Sequence, residues 1–119
     1  MNLREIDRLV AEKVMGWEPF YDDGDLISFV TEFGTLFFSD DESEWNPTID
    51  IADAWLVAEK LKIAVIPQAG EPPKNMKYLA EIDRRPLGGY YEAFAETAPL
   101  AICLVALKTV GVEVEVNEQ

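Results

Sequence analysis

Residues 97–107 read Thr-Ala-Pro-Leu-Ala-Ile-Cys-Leu-Val-Ala-Leu, and every residue from 98 to 107 is apolar. Thr97 is a good helix cap, Pro99 fits the first turn of a helix, and Gly111 can end it. A helix that is apolar all round must be covered on every side, so this segment is expected at the centre of the fold. The sequence therefore predicts a central helix over residues 98–110.

The groups that cover this helix decide whether the protein self-associates. A sheet can cover one side and a second helix part of another, which leaves a remainder. Either the first helix and the loops of the same chain complete the cover, or a second copy does so in a symmetric homodimer. The candidate self-association residues for the homodimer are Ala101 and Val105, four apart on one face, and Ile102 on the neighbouring face. Both alternatives are compatible with the sequence.

Two further helices are predicted from caps and apolar spacing. Asn2 and Glu5 have the spacing of a capping box for a helix over residues 2–15, which Gly16 can end. Its apolar face consists of Leu3, Ile6, Val10 and Val14, and the side chains expected to face water are Arg4, Asp7, Arg8 and Lys13. Asp50 can cap a helix over residues 49–62. The predicted apolar stripe of that helix is Ile51, Ala54, Trp55, Ala58 and Leu61.

Strand signals lie between and after the helices. The predicted hairpins pair residues 26–31 with 35–39 and residues 76–83 with 90–95. Residues 63–67 are predicted to form a short buried strand, and the strict alternation at 112–116 is typical of a strand with one buried face. The stretches with loop composition are residues 17–25, 40–44 and 68–75. Short hairpins favour antiparallel pairing, so we expect an α+β fold in which three helices are layered on one mostly antiparallel sheet, in a single domain over residues 1–119.

The net charge of −13 is unevenly placed along the chain. Residues 14–59 contain twelve Asp or Glu and no Lys or Arg, so this segment carries −12 and the rest of the chain only −1. Such a surface repels phosphate backbones, which argues against nucleic-acid binding. The charge either keeps the protein dispersed in solution or forms a face complementary to a basic partner, including a face that mimics DNA.

Cysteine usage and hydropathy bear on the cellular compartment. One cysteine, Cys103, excludes an internal disulfide and suits a reducing compartment. No apolar run approaches the roughly 20 residues that span a bilayer. The first residues, Met-Asn-Leu-Arg-Glu, lack the basic and apolar regions of a secretory signal. We therefore expect a cytoplasmic protein that does not bind membranes.

The sequence offers no catalytic constellation. The chain has no His, which removes the most common general base and the most common metal ligand. Cys103 lies within the apolar helix, where a buried thiol is usually inert. Asp40, Asp41, Glu42 and Glu44 could hold Mg²⁺ or Ca²⁺, but their spacing does not match an EF-hand and a solvated loop fits them better. We expect no catalytic residue, no metal and no cofactor, and therefore not an enzyme.

Aromatic residues beside turns are the candidate ligand-binding positions. They are Trp45 with Asn46, and Tyr90 with Tyr91. Such side chains can stack on a small molecule of nucleotide-like chemistry, in a site built between subunits. For Trp45 the alternative is structural, with its ring packed against the second helix.

Three stretches of the chain carry a family resemblance. They are residues 2–7 (Asn-Leu-Arg-Glu-Ile-Asp) with 15–17 (Met-Gly-Trp), residues 45–55 (Trp-Asn-Pro-Thr-Ile-Asp-Ile-Ala-Asp-Ala-Trp), and residues 97–107. Together they resemble the phage ABA-sandwich domain, found in small proteins of Bacillus-type phages and prophages. The resemblance implies a three-layer α/β/α (ABA) sandwich and a place in an infected bacterial cytoplasm. It implies no activity and no transferable site residue.

Two functional hypotheses follow for a phage accessory protein that acts by binding. The first is a protein-interaction module whose acidic face engages a host or phage protein, expected to be basic, with the module either a monomer or a homodimer. The second is a protein that sequesters a nucleotide-like ligand near Trp45 and Tyr90. An acidic face in the structure favours the first, and a deep pocket lined by Trp and Tyr favours the second.

Overall fold

The computed structural model describes residues 1–39 and 43–115. Within them the α-helices are α1 (Leu3–Leu9), α2 (Ile51–Leu61) and α3 (Ala98–Lys108). The strands are β1 (Glu18–Asp22), β2 (Asp25–Thr31), β3 (Gly34–Phe37), β4 (Ala64–Pro67), β5 (Tyr78–Asp83) and β6 (Tyr90–Ala95). A π-helical segment, Val10–Val14, continues α1, and a short 3-10 turn, Lys74–Met76, precedes β5. The three predicted helices are confirmed.

The first helix begins and ends as the sequence predicts. The side chain of Asn2 accepts a hydrogen bond from the backbone N–H of Glu5, and Gly16 adopts a left-handed φ of 73° after the π-helical segment. One predicted water-facing residue, Asp7, is instead buried, with 2% of its surface exposed. The prediction was wrong there because the loop before α2 covers that side of α1: the Asp7 carboxylate accepts the backbone N–H of Thr48 at 2.9 Å.

The first sheet has the strand order β1-β2-β3, and both pairings are antiparallel. The predicted hairpin of residues 26–31 with 35–39 is confirmed as β2 and β3. The prediction of a loop over residues 17–25 was wrong, because β1 lies inside it. Asp23 and Gly24 both have positive φ, of 52° and 83°. An Asp-Gly pair in that conformation makes the tight turn whose twist suits a hairpin, and this turn joins β1 to β2.

The second sheet has the strand order β4-β5-β6, also antiparallel throughout. It confirms a strand near residues 63–67 and the hairpin of 76–83 with 90–95. The prediction that the first of these strands is buried was wrong, because β4 lies at the edge of the sheet and Ile66 is 41% exposed. The described part of the chain therefore contains two three-stranded sheets where one sheet was expected. The strand predicted at 112–116 is absent from residues 112–115, and Val116 lies outside the described residues. Val112 and Val114 instead pack against the core from irregular backbone.

The central helix is covered within one chain. α3 packs on β5 and β6 with one side and on α2 and the π-helical segment with others. Its fully buried side chains are Ala101, Ile102, Cys103, Val105, Ala106 and Leu107. The chain's own elements cover these six positions, and Leu100 and Leu104 of the same helix are partly buried.

The second helix is rotated from its predicted orientation. Ala54, Val57 and Ala58 are buried against α3, whereas Ile51 and Trp55 are exposed to 53% and 52%. Two of the three large side chains of the predicted stripe thus face away from the core, whereas the third, Leu61, packs against it. Small residues let α2 approach α3 closely, which explains the orientation.

The α+β fold class predicted from the sequence is confirmed. The three helices and two small antiparallel sheets of the described residues make an α+β, sandwich-like fold consistent with the α/β/α sandwich. Its core contains side chains from both sheets and all three helices, with Trp45 as its largest fully buried side chain.

Candidate functional site

Trp45 and Asn46, two of the predicted ligand residues, lie just before α2 and link that part of the chain to α1 and to α2 by hydrogen bonds. The Trp45 ring is completely buried, lies 4.5 Å from the Trp17 ring in an edge-to-face arrangement, and donates its Nε1–H to the backbone carbonyl of Asp7 at 3.0 Å. Asn46 donates its side-chain N–H to the Ser43 carbonyl, and its backbone N–H to the Asp53 carboxylate. Trp45 presents no face on which a ligand could stack, so the structural alternative accounts for it. Its hydrogen bond is with α1 and its ring contact is with Trp17.

Tyr90 and Tyr91, the other predicted ligand residues, point to opposite faces of the second sheet. Tyr91 packs against the core, while Tyr90 is 37% exposed. The Tyr90 hydroxyl lies 2.7 Å from a Glu81 carboxylate oxygen and 2.9 Å from one of Glu92. Hydrogen bonding to these two carboxylates raises the pKa of the Tyr90 phenol, because ionisation would place a third negative charge beside them. The Arg85 guanidinium lies 4.7 Å from the Tyr90 ring centroid.

These four residues do not form one site within the chain. Trp45 and Asn46 lie beside α1 and α2, and Tyr90 and Tyr91 lie in the β5–β6 hairpin. Across residues 1–39 and 43–115, no hydrogen bond or ring contact joins the two pairs.

The predicted self-association residues also lie in the interior. Ala101, Ile102 and Val105 are each 0% exposed in a single chain. The reason for expecting a homodimer contact at these positions was an uncovered apolar face, and the structure covers that face with the chain's own sheet and helices. These three residues are therefore core residues.

Two buried groups with unusual acidity lie close to this core. Burial raises the pKa of Asp7 to about 6, and the hydrogen bond from the Thr48 backbone opposes that rise. Burial also raises the pKa of the Cys103 thiol, with a smaller contribution from the nearby Asp7 carboxylate. A buried thiol with a raised pKa carries little thiolate, which fits the packing role predicted for Cys103.

A cleft of about 450 Å³ lies between α1 and the first sheet. Arg4 and Arg8 line it together with Glu5 and Asp25, so it contains charges of both signs. The Arg4 guanidinium lies 3.9 Å from the Phe38 ring centroid and donates to the Ser39 carbonyl. None of the four predicted ligand residues lines this cleft.

The described residues also bear on metal ligation and on membrane insertion. Among the described residues, no three His, Cys, Asp or Glu side chains come together in a way that could hold a metal ion. Three residues of the candidate cation loop, Asp40, Asp41 and Glu42, lie outside the described residues. In residues 1–39 and 43–115, no helix has the length and apolar character needed to cross a membrane.

The acidic segment of residues 14–59 carries two exposed apolar surfaces. The first is the outer face of the β1-β2-β3 sheet, defined by Glu18, Phe20, Ser28, Val30, Thr35 and Phe37; we call it the outer sheet face. Phe20, Val30 and Phe37 are 45%, 53% and 52% exposed. The second is the α2 patch, defined by Ile49, Ile51 and Trp55, the first of which is 69% exposed.

Sequence reasoning missed both surfaces for identifiable reasons. The outer sheet face was hidden because β1 was predicted as a loop; the Asp23-Gly24 turn was the signal that could have revealed it. The α2 patch was missed because apolar spacing alone does not say which of two possible stripes faces the core. Apolar side chains of this size at the surface are a feature of interaction sites.

The chain is similar in sequence and in structure to phage proteins. Residues 8–107 match the family described as the Phage ABA sandwich domain. The structure is similar to the 2.0 Å crystal structure of a phage protein from Bacillus cereus ATCC 14579, with 31% sequence identity and a TM-score of 0.70. That similarity covers 97% of this chain and 93% of the phage protein. No curated protein matches the chain in sequence.

Proposed function

Because this chain belongs to the Phage ABA sandwich domain family, we propose that it is a phage accessory protein that acts by binding another protein. The partner is a host or phage protein with a basic surface, and the binding surface lies in the acidic segment. The observation that carries the proposal is that one segment of the chain combines a high negative charge with exposed apolar side chains. Residues 14–59 hold twelve acids and no Lys or Arg, and the same segment carries exposed aromatic and aliphatic side chains.

The charge of this segment supports a protein partner over other classes of partner. Nucleic acid and anionic lipid both present negative charge, which the acidic segment repels. Acidic charge by itself would keep the protein soluble, and a surface that served only solubility would not also expose Phe20 and Phe37. Interfaces combine apolar anchors, aromatic ones above all, with charged groups that steer the partner, and this segment has both.

The proposal places the protein in the cytoplasm of the infected bacterium and assigns it no enzymatic activity. A single buried cysteine and the absence of His are the features that support this assignment. A homodimer is not needed to complete the fold, since α3 is covered within one chain. The small-molecule alternative near Trp45 and Tyr90 has less support, because the Trp45 ring is buried and only Tyr90 is exposed.

The proposal is tested by comparing two charge variants in a capture experiment. The purified protein is immobilised and exposed to host lysate, and the retained proteins are identified by mass spectrometry. The first variant replaces the exposed acids Glu18, Asp22 and Asp25 by their amides. The matched control makes the same change at Glu71, Glu113 and Glu115, which are also exposed but lie outside the acidic segment.

The proposal predicts that a basic protein is retained by the wild type and by the control, and that the first variant loses it. Retention should also fall as salt is added, because exposed charges are screened over a distance of about 8 Å at physiological ionic strength. A retained set without basic proteins, or equal retention by the two variants, would contradict the proposal.

A further inference from the structure

The outer sheet face has a definite geometry set by strand register. Ser28 of β2 pairs with Phe20 of β1 on one side and with Phe37 of β3 on the other. Cross-strand partners project to the same side of a sheet, so the two rings flank the small Ser28 side chain. Although Ser28 is on the outer side, it is only 5% exposed, because the rings lie beside it. The result is a row with an aromatic ring on each side and a shallow centre.

The next row of the same face combines an apolar side chain with a charge. Val30 pairs with Glu18 and with Thr35, and Val30 is 53% exposed. The alternate residues of these strands face inward, where Phe29 and Phe38 pack edge to face with ring centroids 5.2 Å apart. The sheet therefore has one apolar face that builds the core and a second apolar face that is open to solvent.

The rim of the outer sheet face is acidic. Asp22 and Asp25 close the turn at one end of β1 and β2, and Glu32 follows β2 at the other end, where its carboxylate accepts the Trp17 Nε1–H. The Glu44 carboxylate reaches the Phe37 backbone N–H at 3.0 Å. A cation does meet this sheet beyond the end of β3, where Arg4 stacks on Phe38.

We infer that the outer sheet face is the docking surface for a basic, amphipathic segment of the partner protein. This inference rests on the proposed function and assigns it a location. Apolar side chains of the segment would pack beside Phe20, Val30 and Phe37, and its Lys or Arg side chains would meet the acidic rim. A second copy of this chain is a poorer occupant, because it would bring an acidic rim against an acidic rim.

A random-peptide display library selected against the wild-type protein at low salt tests this inference. Selected peptides are synthesised, and their affinities are measured by fluorescence anisotropy. The outer-face variant is Phe20→Thr with Phe37→Thr, which removes both rings and keeps residues suited to strands. A second variant, Val30→Lys, leaves the rings in place and puts a cation on the face. The control variants are Trp55→Ser in the α2 patch and Leu87→Ser, which changes a fully exposed side chain elsewhere.

The inference predicts selected peptides that carry net positive charge together with apolar residues. Both outer-face variants should bind them at least about tenfold more weakly, as expected when central anchors are removed, and both controls should bind them as the wild type does. Circular dichroism and thermal unfolding of each variant show that the fold is retained. If Phe20→Thr with Phe37→Thr is misfolded, Val30→Lys still decides the location.

The remaining outcomes separate a wrong location from a wrong function. Peptides that are basic and salt-sensitive but lose affinity only in Trp55→Ser would overturn the outer sheet face and leave the proposed function standing. Selection of acidic or uncharged peptides whose binding does not respond to salt would overturn both. Failure to select any binding peptide would likewise count against both.

Discussion

Asp7 gives the fold a pH dependence that can be removed by one substitution. Asp7 is 2% exposed, and burial raises the pKa of its carboxyl from 3.8 to about 6. A carboxyl with a higher pKa in the folded than in the unfolded protein binds its proton more tightly when folded, so lowering the pH stabilises the fold. The contribution grows as pH falls through 6 and is complete below about 4, where the unfolded chain is protonated as well.

The expected magnitude follows from the size of the pKa shift. A shift from 3.8 to about 6 corresponds to roughly 3 kcal/mol between neutral pH and strongly acid solution. Between about pH 7.5 and pH 5 the same linkage gives roughly 1.4 kcal/mol. Asp7→Asn keeps an oxygen that can accept the Thr48 N–H and cannot ionise, so the variant should lack this part of the pH dependence.

Urea unfolding of the wild type and Asp7→Asn at several pH values measures the difference. All the other acids of this highly acidic chain are present in both proteins, so the difference between the two pH profiles isolates Asp7. The control is Asp22→Asn, which makes the same chemical change at an exposed strand end and should reproduce the wild-type profile. The reasoning about Asp7 fails if Asp7→Asn and wild type show parallel pH profiles over this range.

Two further predictions concern the helices. Ile102→Glu and Val105→Glu each place a charge at a position that is 0% exposed in one chain, so neither variant should fold. Circular dichroism and size-exclusion chromatography measure this. A folded monomer from either variant would show instead that α3 contacts a second copy. Lys62→Gly should raise the free energy of unfolding by about 1 kcal/mol, because Lys62 ends α2 with a left-handed φ of 59° that Gly adopts without strain. Lys60→Gly, inside the same helix, should lower it by about 1 kcal/mol, and equal effects of the two changes on urea unfolding would refute the account of this cap.

The parts of the fold that could be predicted from the sequence are those fixed by local chemistry. Asn2, Asp50 and Thr97 accept hydrogen bonds from the first turns of their helices, and such caps can be identified within a few residues. The two predicted hairpins were found because their strands are rich in aromatic and β-branched residues. The continuous apolar run of α3 placed it at the centre, where the structure has it.

The parts that were missed depend on contacts between distant segments. The sequence pattern of α1 places Asp7 on the water-facing side. It is buried by the loop that carries Thr48, a residue 41 positions further along the chain. Apolar spacing found Ala54 and Ala58 on the buried side of α2, but it missed Val57 and placed Trp55 there in its stead, because packing against α3 sets the final orientation. The burial of Trp45 likewise comes from Trp17, a residue of another loop. Long-range contacts of this kind explain why Trp45 and the candidate self-association residues are buried.

The salt dependence of complex formation is the most direct test of the central claim that the acidic segment engages a basic partner. The affinity of the wild-type protein for the basic protein captured from host lysate can be measured by isothermal titration calorimetry at increasing salt. Screening lengths fall from about 10 Å at 0.1 M salt to about 3 Å at 1 M, so the dissociation constant should rise steadily across this range. The triple amide variant at Glu18, Asp22 and Asp25 should bind more weakly and respond less to salt. A dissociation constant that stays constant from low to high salt would contradict the claim.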